Sequence, residues 1–339
     1  MYLTVTIDTE EDNWGEYDRA SYSVENIGRV CGLQQIFAAR GIRPTYLITY
    51  PVATSRLGIE VLGKYQADGL CEIGTHLHPW NTPPIEEERT PVNSFVNHLS
   101  PALQFRKLTT LHETITRNFG VAPTSFRSGR WGFSDDVARH LIRLSYRTDS
   151  SISPAIDWGE YGGPDYSRCS LEPFTYSVEG TMDGSGGLLL EVPATVWFPQ
   201  ARSRLASSAY RSIRSRVPFG RKILAALDRL GALNRISLSP ELDGAARMIR
   251  LTRALLNRGT PVVNVFFHSP SLLEGCSPYA RTAGESRELL ERIDSLLAFA
   301  STAGLRSRTL SELTGAMVGA SRVQNLQPST ALGRAATES

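Results

Sequence analysis

The feature that most constrains the fold is the regular alternation of strand-like and helix-like segments along the 339 residues. Short apolar runs, such as residues 2–7 and 71–75, alternate with longer helical patterns, such as residues 24–40 and 101–118, which stop close to a glycine. Alternating β and α units predict a parallel sheet, either open or closed into a barrel. The length suffices for one large barrel or two ordinary domains.

Two segments interrupt this alternation. Residues 200–239 contain nine basic residues but one acid, Asp228, and are interpreted as a basic insertion. Toward the C-terminus the chain becomes rich in Ser, Ala and Thr and loses apolar periodicity. The sequence therefore predicts a single barrel over residues 1–315, with the insertion at 200–239, and a mobile tail over 316–339.

Charge and cysteine content narrow the functional classes. The net charge of +2 gives no reason to predict nucleic-acid binding. The four cysteines form no CxxC pair, so we expect reduced thiols and no structural zinc site. The sequence has no apolar run of about eighteen residues and no basic, apolar signal segment after Met1. We therefore predict a cytoplasmic protein that at most rests on a membrane surface.

Acids, histidines and an arginine recur where the predicted strands end. In chain order they are Asp8, Glu10, His76, His78, Arg127, Asp149 and His268. The carboxyl ends of parallel barrel strands converge on one mouth, where active sites are built. We therefore expect these side chains to meet in one pocket.

The pair His76 and His78 is the sharpest local signal for a metal site. Side chains two residues apart in an extended segment face the same way, so both imidazoles can reach one ion. Two hydrogen-bonded histidines would explain the pair equally well if it stood alone. The same mouth, however, supplies a carboxylate, and two histidines with one carboxylate form a catalytic metal site. Glu10 is the preferred acid because it shares a strand face with Asp8, and Glu11 and Asp12 stay open.

The ordered motifs resemble those of the NodB-type polysaccharide deacetylases. The resemblance rests on residues 6–10, 72–76 (Glu-Ile-Gly-Thr-His), 126–132, 148–151 and 266–268. It implies an α/β fold, a distorted parallel barrel of the (β/α)7 type. It also implies hydrolysis of the N-acetyl group of an amino sugar or sugar-containing precursor, with release of acetate. One divalent metal ion is implied, zinc in the first place, with cobalt, nickel or iron as alternatives.

The resemblance also implies a role for each residue. Asp8 would be the general base, and Arg127 would pair with it and keep it ionised. Asp149 would orient Arg127 or His268. His268 would be the general acid that protonates the leaving amine.

Three departures from the family pattern are visible. The usual second metal histidine lies four residues after the first, where this chain has Trp80, so His78 must replace it. The adjacent acid pair of the first motif is here Asp8-Thr9-Glu10, and the third motif lacks its Pro-Tyr pair. The phrases His-Leu-His-Pro-Trp and Phe-His-Ser-Pro suggest a cytoplasmic, WalW-like branch linked to glycoconjugate or surface-polysaccharide synthesis.

Substrate contacts are predicted at Trp80, Arg130 and Trp131 near the mouth, because a sugar ring can lie on an indole face. The basic insertion combines arginines with apolar residues, including Arg214, Arg221 and Phe219. It could rest on anionic lipid or hold a phosphate of a lipid- or nucleotide-linked sugar. A solvated charged face is the alternative interpretation.

Two other functional classes stay open. Metal-dependent amidohydrolases acting on non-sugar amides also use two histidines on a barrel strand, but on the first strand and with later Lys, His and Asp ligands. This chain has its pair on the third predicted strand and no later pair of histidines. A non-catalytic sugar-binding barrel would keep the motifs without releasing product.

Overall fold

A computed structural model describes residues 1–15, 21–178, 187–317 and 322–325. Its strands, in chain order, are β1 (Tyr2–Thr9), β2 (Thr45–Ile48), β3 (Glu72–Leu77), β4 (Ser125–Ser128), β5 (Thr148–Asp149), β6 (Phe174–Val178), β7 (Gly187–Glu191), β8 (Val196–Trp197), β9 (Ile236–Ser237), β10 (Val262–His268), β11 (Arg306–Ser307) and β12 (Arg322–Asn325). Its helices are α1 (Val30–Arg40), α2 (Tyr50–Thr54), α3 (Arg56–Ala67), α4 (Pro101–Phe119), α5 (Asp135–Arg143), α6 (Ser203–Arg216), α7 (Gly220–Arg229), α8 (Ala245–Leu256), α9 (Ala283–Thr302) and α10 (Leu310–Met317).

Seven parallel strands follow one another in the main sheet, in the order β10, β1, β2, β3, β4, β5 and β7, and β11 also pairs parallel with β1. Beyond β7, strand β6 runs antiparallel to it and β12 pairs with β6. The backbone N–H of Thr195, which follows β7, donates to the carbonyl of Asn264 on β10 at 3.2 Å, and this contact joins the two sides of the curled sheet. The predicted distorted parallel barrel is confirmed, and the antiparallel β6 is an addition to it.

Both faces of the central strands are buried, so the threonines that alternate with apolar residues in β1 are buried as well. In β1 every residue from Leu3 to Thr9 is buried. Helices α1 and α4 end where Gly41 and Gly120 take φ values of 64° and 74°, a left-handed conformation that costs glycine little. These stops return the chain to the next strand and so set the strand ends that carry the site.

The predicted basic insertion contains a hairpin of α6 and α7, which pack on a small core that includes Phe198, Leu224 and Leu233. Of the predicted tail, the structure describes residues 316 and 317, the end of α10, and 322–325, which form β12. The other tail residues lie outside the described ranges, and the boundary at 315 stays a prediction. All four cysteines are free. None of the described helices has both the length and the hydropathy needed to span a bilayer.

Candidate active site

Glu10, His76 and His78 meet at the carboxyl ends of β1 and β3. The Oε1 atom of Glu10 lies 2.7 Å from Nε2 of His76 and 2.8 Å from Nε2 of His78, and all three side chains are buried. The Nδ1 atom of His76 donates to the carbonyl of Arg127 at 3.0 Å, which leaves Nε2 as the acceptor atom. Within the described ranges, this is the one group of three His, Cys, Asp or Glu residues whose ligand atoms all lie within 4.8 Å of one another.

The electrostatics of this triad suit a divalent cation. Burial raises the pKa of Glu10 well above its usual range, and the nearby charge of Asp8 raises it further. Burial lowers the pKa of His76 to about 4 and that of His78 well below its usual value, so both imidazoles are neutral, as metal ligands must be. The Oε2 atom of Glu10 is buried without a hydrogen-bond partner among the described residues. Two imidazole nitrogens and one carboxylate are the donors of a catalytic zinc site, so these residues fit a metal.

The neighbouring acids are bonded elsewhere. Glu11 accepts a hydrogen bond from Nδ2 of Asn81 at 2.8 Å, and Asp12 accepts one from Oγ of Ser23 at 2.8 Å. Both carboxylates thus fix the loops around them. Of the three acids that the sequence left open, the structure places Glu10 beside both histidines.

Asp8 is the second carboxylate of the site, and Arg127 holds it. Nη1 of Arg127 donates to Oδ1 of Asp8 at 2.7 Å, and both side chains are buried. Arg127 is fixed in turn, because Nη2 donates to Oγ1 of Thr6 at 2.7 Å and Nε donates to the carbonyl of Ser150 at 2.9 Å. Burial opposes the ionisation of Asp8, but the adjacent charge of Arg127 outweighs it and lowers the pKa of Asp8. Asp8 is therefore an ionised carboxylate at neutral pH.

His268 ends β10, and its register partner on β1 is Asp8. Its Nε2 lies 3.8 Å from Oδ2 of Asp8, and its Nδ1 lies 2.8 Å from Oε2 of Glu241. Trp14 and Tyr279 stack on the imidazole, with ring centroids at 4.8 and 5.9 Å. Burial lowers the pKa of His268, but the charge and hydrogen bond of Glu241, with the charge of Asp8, outweigh it and raise that pKa. The site therefore favours the imidazolium form.

Glu241 is a residue of the candidate site that the sequence did not predict. The helical pattern predicts a helix from residue 240 to 257, whereas α8 begins at Ala245 and residues 240–242 form a turn. This turn follows β9, a two-residue strand too short to be recognised as one. The sequence signal for Glu241 would have been an acid shortly after a strand, but this signal can be recognised only when β9 is known to be a strand.

The role of Asp149 in orienting Arg127 or His268 stays a prediction, because its carboxylate is bonded to other groups. Its carboxylate accepts a hydrogen bond from Oγ of Ser151 at 2.6 Å and is hydrogen-bonded to the carboxyl group of Glu191. Among the described residues, neither Arg127 nor His268 forms a hydrogen bond or ion pair with it. Burial raises the pKa of both acids, and the charge of Asp149 raises that of Glu191 further. Glu241 is the carboxylate that orients His268.

A cleft of about 370 Å³ opens over these groups. Its aromatic lining consists of Trp14, Phe95, Trp131, Trp158, Tyr161 and Tyr279. Arg130 also lines it, and of the three residues predicted to contact substrate, Arg130 and Trp131 are therefore located at the cleft. Trp80 is not: it is 3% exposed, and its ring packs on that of His78 with centroids 4.1 Å apart. Trp80 therefore supports a candidate metal ligand from behind and does not face the cleft.

Comparison with protein-family models and with curated proteins finds no match to this chain. A protein from Mycobacterium smegmatis described as a "putative polysaccharide deacetylase" aligns with a TM-score of 0.54 and 14% identity, over 96% of this chain and 94% of that one. A "putative glycoside hydrolase/deacetylase" from Parabacteroides distasonis aligns with a TM-score of 0.62 and 14% identity, over 93% and 70%.

A GH57-type branching enzyme from Pyrococcus horikoshii aligns with a TM-score of 0.54 and 11% identity, over 96% of this chain and 72% of that one. These likenesses show that the chain shares one fold with proteins described as deacetylases and with branching enzymes.

Proposed function

We propose that this chain is a metal-dependent deacetylase of the NodB type, which hydrolyses the N-acetyl group of an amino sugar and releases acetate. The observation that carries the proposal is the convergence, in one aromatic cleft, of a buried triad of Glu10, His76 and His78 with Asp8 and His268. Amide hydrolysis needs an activated water, a base and an acid for the leaving amine. Separate groups are available here for each of these tasks.

Glu10, His76 and His78 would hold the divalent ion. Zinc is the preferred ion, and cobalt, nickel and iron suit the same donors. Such an ion lowers the pKa of water and polarises the acetyl carbonyl. The carbonyl of Arg127 accepts the Nδ1 proton of His76, which fixes the ring with Nε2 toward Glu10.

Asp8 is the base in this proposal. Arg127 binds its Oδ1 atom, which keeps the carboxylate ionised and leaves Oδ2 to take the proton of the attacking water. Because the guanidinium is fixed by Thr6 and Ser150, Asp8 has a defined position relative to the triad. Its role requires no direct bond to the ion.

His268 is the acid that protonates the amine as the amide C–N bond breaks. Glu241 accepts the Nδ1 proton, so the proton available for transfer is on Nε2, on the side of Asp8. The raised pKa of His268 keeps this proton in place at neutral pH. Expulsion of an unprotonated amine is thereby avoided.

The aromatic lining supports a sugar as the substrate. The rings of Trp131 and Trp158 lie nearly parallel, 11° apart, with centroids separated by 6.4 Å. Such faces pack against the apolar side of a pyranose, and Arg130 supplies hydrogen-bond donors beside them. The cytoplasmic location and the WalW-like branch stay predictions from the motifs.

The branching-enzyme neighbours raise glycosidic-bond chemistry as the alternative, because one fold hosts many functions. Retaining glycosidases use two carboxyl groups about 5–5.5 Å apart that flank the scissile bond. Here Glu10 is engaged by two histidines and Asp8 by an arginine, which suits a metal site better. Amidohydrolase-type ligation is disfavoured because His98, His112 and His140 do not line the cleft.

The test is acetate release from a panel of N-acetylated free sugars, nucleotide-linked sugars and lipid-linked sugars by metal-loaded protein. We expect acetate and free amine in equal amounts from at least one substrate class, and a rate lower by about a hundredfold or more with the Asp8→Asn variant. Sugar binding without acetate release, in folded and metal-loaded protein, would identify a non-catalytic binder instead.

A further inference from the structure

The outer face of α7 carries an exposed apolar stripe. Ile223, Ala226 and Leu230 are spaced three and four residues apart, which places them on one side of the helix, and the exposed ring of Phe219 precedes them at the turn before α7. Phe219 and Leu230 are 76% and 80% exposed. Leu224, on another side of α7, is buried in the small core of the hairpin. The stripe therefore faces away from the core of the hairpin.

The turn between α6 and α7 fixes Phe219 in an outward position. Its φ of 56° lies in the left-handed region, which is unfavourable for a bulky residue. A Cβ atom on Gly220 would lie 2.1 Å from the carbonyl oxygen of Ile213, so the two helices approach as closely as the backbone permits. A strained turn that exposes a large aromatic side chain indicates a role outside the folded chain.

Unpaired cations border the stripe. Five basic side chains of the insertion make no side-chain hydrogen bond or ion pair with any described residue: Arg202, Arg204, Arg216, Lys222 and Arg229. Lys222 and Arg229 lie two helical turns apart, next to the stripe. The Nζ atom of Lys222 is 5.6 Å from the centroid of the Phe219 ring. An apolar stripe beside unpaired cations is the pattern of a helix that lies in an anionic membrane interface.

Glu160 links this hairpin to the rim of the active-site cleft. Its neighbours in sequence, Trp158 and Tyr161, line the cleft. Its carboxylate lies 2.5 Å from Nη2 of Arg221 and 3.7 Å from Nη2 of Arg214. A surface that binds the hairpin therefore lies beside the mouth of the cleft.

We propose that the α6–α7 hairpin docks the chain on an anionic lipid bilayer and presents the cleft to an amino sugar carried on a lipid. A nucleotide or nucleic acid would use the cations but would leave the apolar stripe in water. A bilayer surface satisfies both, because anionic headgroups meet the cations while the boundary with the acyl chains takes up Phe219 and Leu230. The docking surface stands independently, whereas the lipid-linked substrate rests on the deacetylase function proposed above.

Sedimentation with vesicles tests the docking surface. Full-length, metal-loaded protein is mixed with vesicles of phosphatidylcholine alone or of phosphatidylcholine with phosphatidylglycerol. We expect binding to the anionic vesicles only. The double change Lys222→Gln and Arg229→Gln should weaken it by about fivefold for each cation removed. The double change Phe219→Asn and Leu230→Ser should weaken it by about tenfold or more, and asparagine tolerates the backbone conformation at position 219.

The matched controls are Val121→Ser and Lys64→Gln, which change an exposed apolar residue and an exposed cation outside the hairpin. These controls should bind like the wild type. Equal wild-type binding to both vesicle types, or hairpin variants that bind like the wild type, overturns the proposal. Sedimentation needs no turnover, so this result is independent of the deacetylase function.

The lipid-linked substrate is tested by acetate release from one N-acetylated sugar, presented either on a lipid in anionic vesicles or free in solution. We expect the wild type to release acetate faster from the vesicles, and the hairpin variants to lose that advantage while keeping the rate on the free sugar. Equal rates on both forms in the wild type overturn the substrate assignment, and absence of acetate from both contradicts the deacetylase function itself.

Discussion

Glu241 accepts two hydrogen bonds from His268: its Oε2 atom lies 2.8 Å from the imidazole Nδ1, and its Oε1 atom lies 3.2 Å from the backbone nitrogen. On the opposite side of the candidate site, Arg127 binds Asp8 at 2.7 Å. A negative charge behind the histidine and a positive charge behind the aspartate shift their pKa values in opposite directions. Such a separation is how one site keeps an acid and a base ready at the same pH.

Replacing Glu241 by glutamine should shift the alkaline limb of the pH–rate profile to lower pH. Activity that depends on protonated His268 falls as the pH rises through its pKa, and glutamine removes the charge that raises this pKa. The measurement is kcat/KM against pH. The control is Ser271→Ala, which removes a hydroxyl donor to Glu241 but keeps its charge. An alkaline limb that stays in place in the Glu241 variant would contradict the positioning role.

The same pair links stability to pH. Because the folded-state pKa of His268 is raised, its contribution to stability is fully present below the unfolded-state value of about 6.5. It is lost as the pH rises through the folded-state pKa. The free energy of unfolding, measured across this window, should therefore fall less in Glu241→Gln than in the wild type.

His268→Ala should slow amide hydrolysis severely and ester hydrolysis far less. An amine departs only after it gains a proton, whereas an activated aryl acetate loses a phenolate that needs none. The measurement compares both substrates on folded, metal-loaded variant. Equal slowing of the two would show that His268 contributes a binding or oxyanion contact instead.

Asp8→Asn should lose activity by roughly a hundredfold or more while it keeps its metal, since the base is lost and the proposed ligands are untouched. Arg127 would be left buried without a negative partner, and loss of one member of a buried ion pair costs about 3–5 kcal/mol of stability. Unfolding must therefore be measured beside activity. The control is Asp294→Asn, which breaks the half-exposed ion pair with Arg40. Full activity in folded Asp8→Asn would remove Asp8 from the mechanism.

Gly129→Ala should lower metal affinity although position 129 holds no ligand. A Cβ atom there would lie 2.2 Å from Nδ1 of His78, so the imidazole has to move. Changes in the residues that hold a metal ligand in position typically lower the metal affinity by about 10–100-fold. The control is Gly28→Ala, where an added Cβ meets nothing within 4 Å. A dissociation constant for zinc equal to that of the wild type would show that His78 is not a ligand in this orientation.

Much of the site could be predicted because its residues follow long, regular strands. Side chains two residues apart along an extended strand point to the same face, so Asp8 and Glu10 lie on one face at the end of β1. The parallel pairing of β1 with β10 then brings Asp8 beside His268. These are local patterns joined by a simple topology. The barrel and the candidate metal triad follow from them.

The parts that could not be predicted depend on long-range packing. The buried Nζ atom of Lys107 on α4 donates to the carbonyls of Pro79 and Thr82 at 2.8 and 2.7 Å, which folds the loop after His78 inward. Trp80 is therefore buried, while Trp131 faces the cleft. Helical propensity around residue 241 likewise concealed the turn that aims Glu241 at His268. Neither the contact of Lys107 with the loop after His78 nor the contact of Glu241 with His268 can be predicted from a periodic pattern in the sequence.

The central claim is that Glu10, His76 and His78 bind the metal on which deacetylation depends. The most direct test is to remove bound metal from the protein with a chelator and then titrate it with zinc. Bound zinc and acetate release are measured in the same samples, for the wild type, for His76→Ala and for the control His98→Ala, whose histidine lies outside the cleft. We predict that acetate release rises with bound zinc and stops at one ion per chain in the wild type and the control, while His76→Ala binds at least about a hundredfold more weakly. Equal zinc content in all three proteins, or full acetate release by metal-free wild type, would contradict the claim.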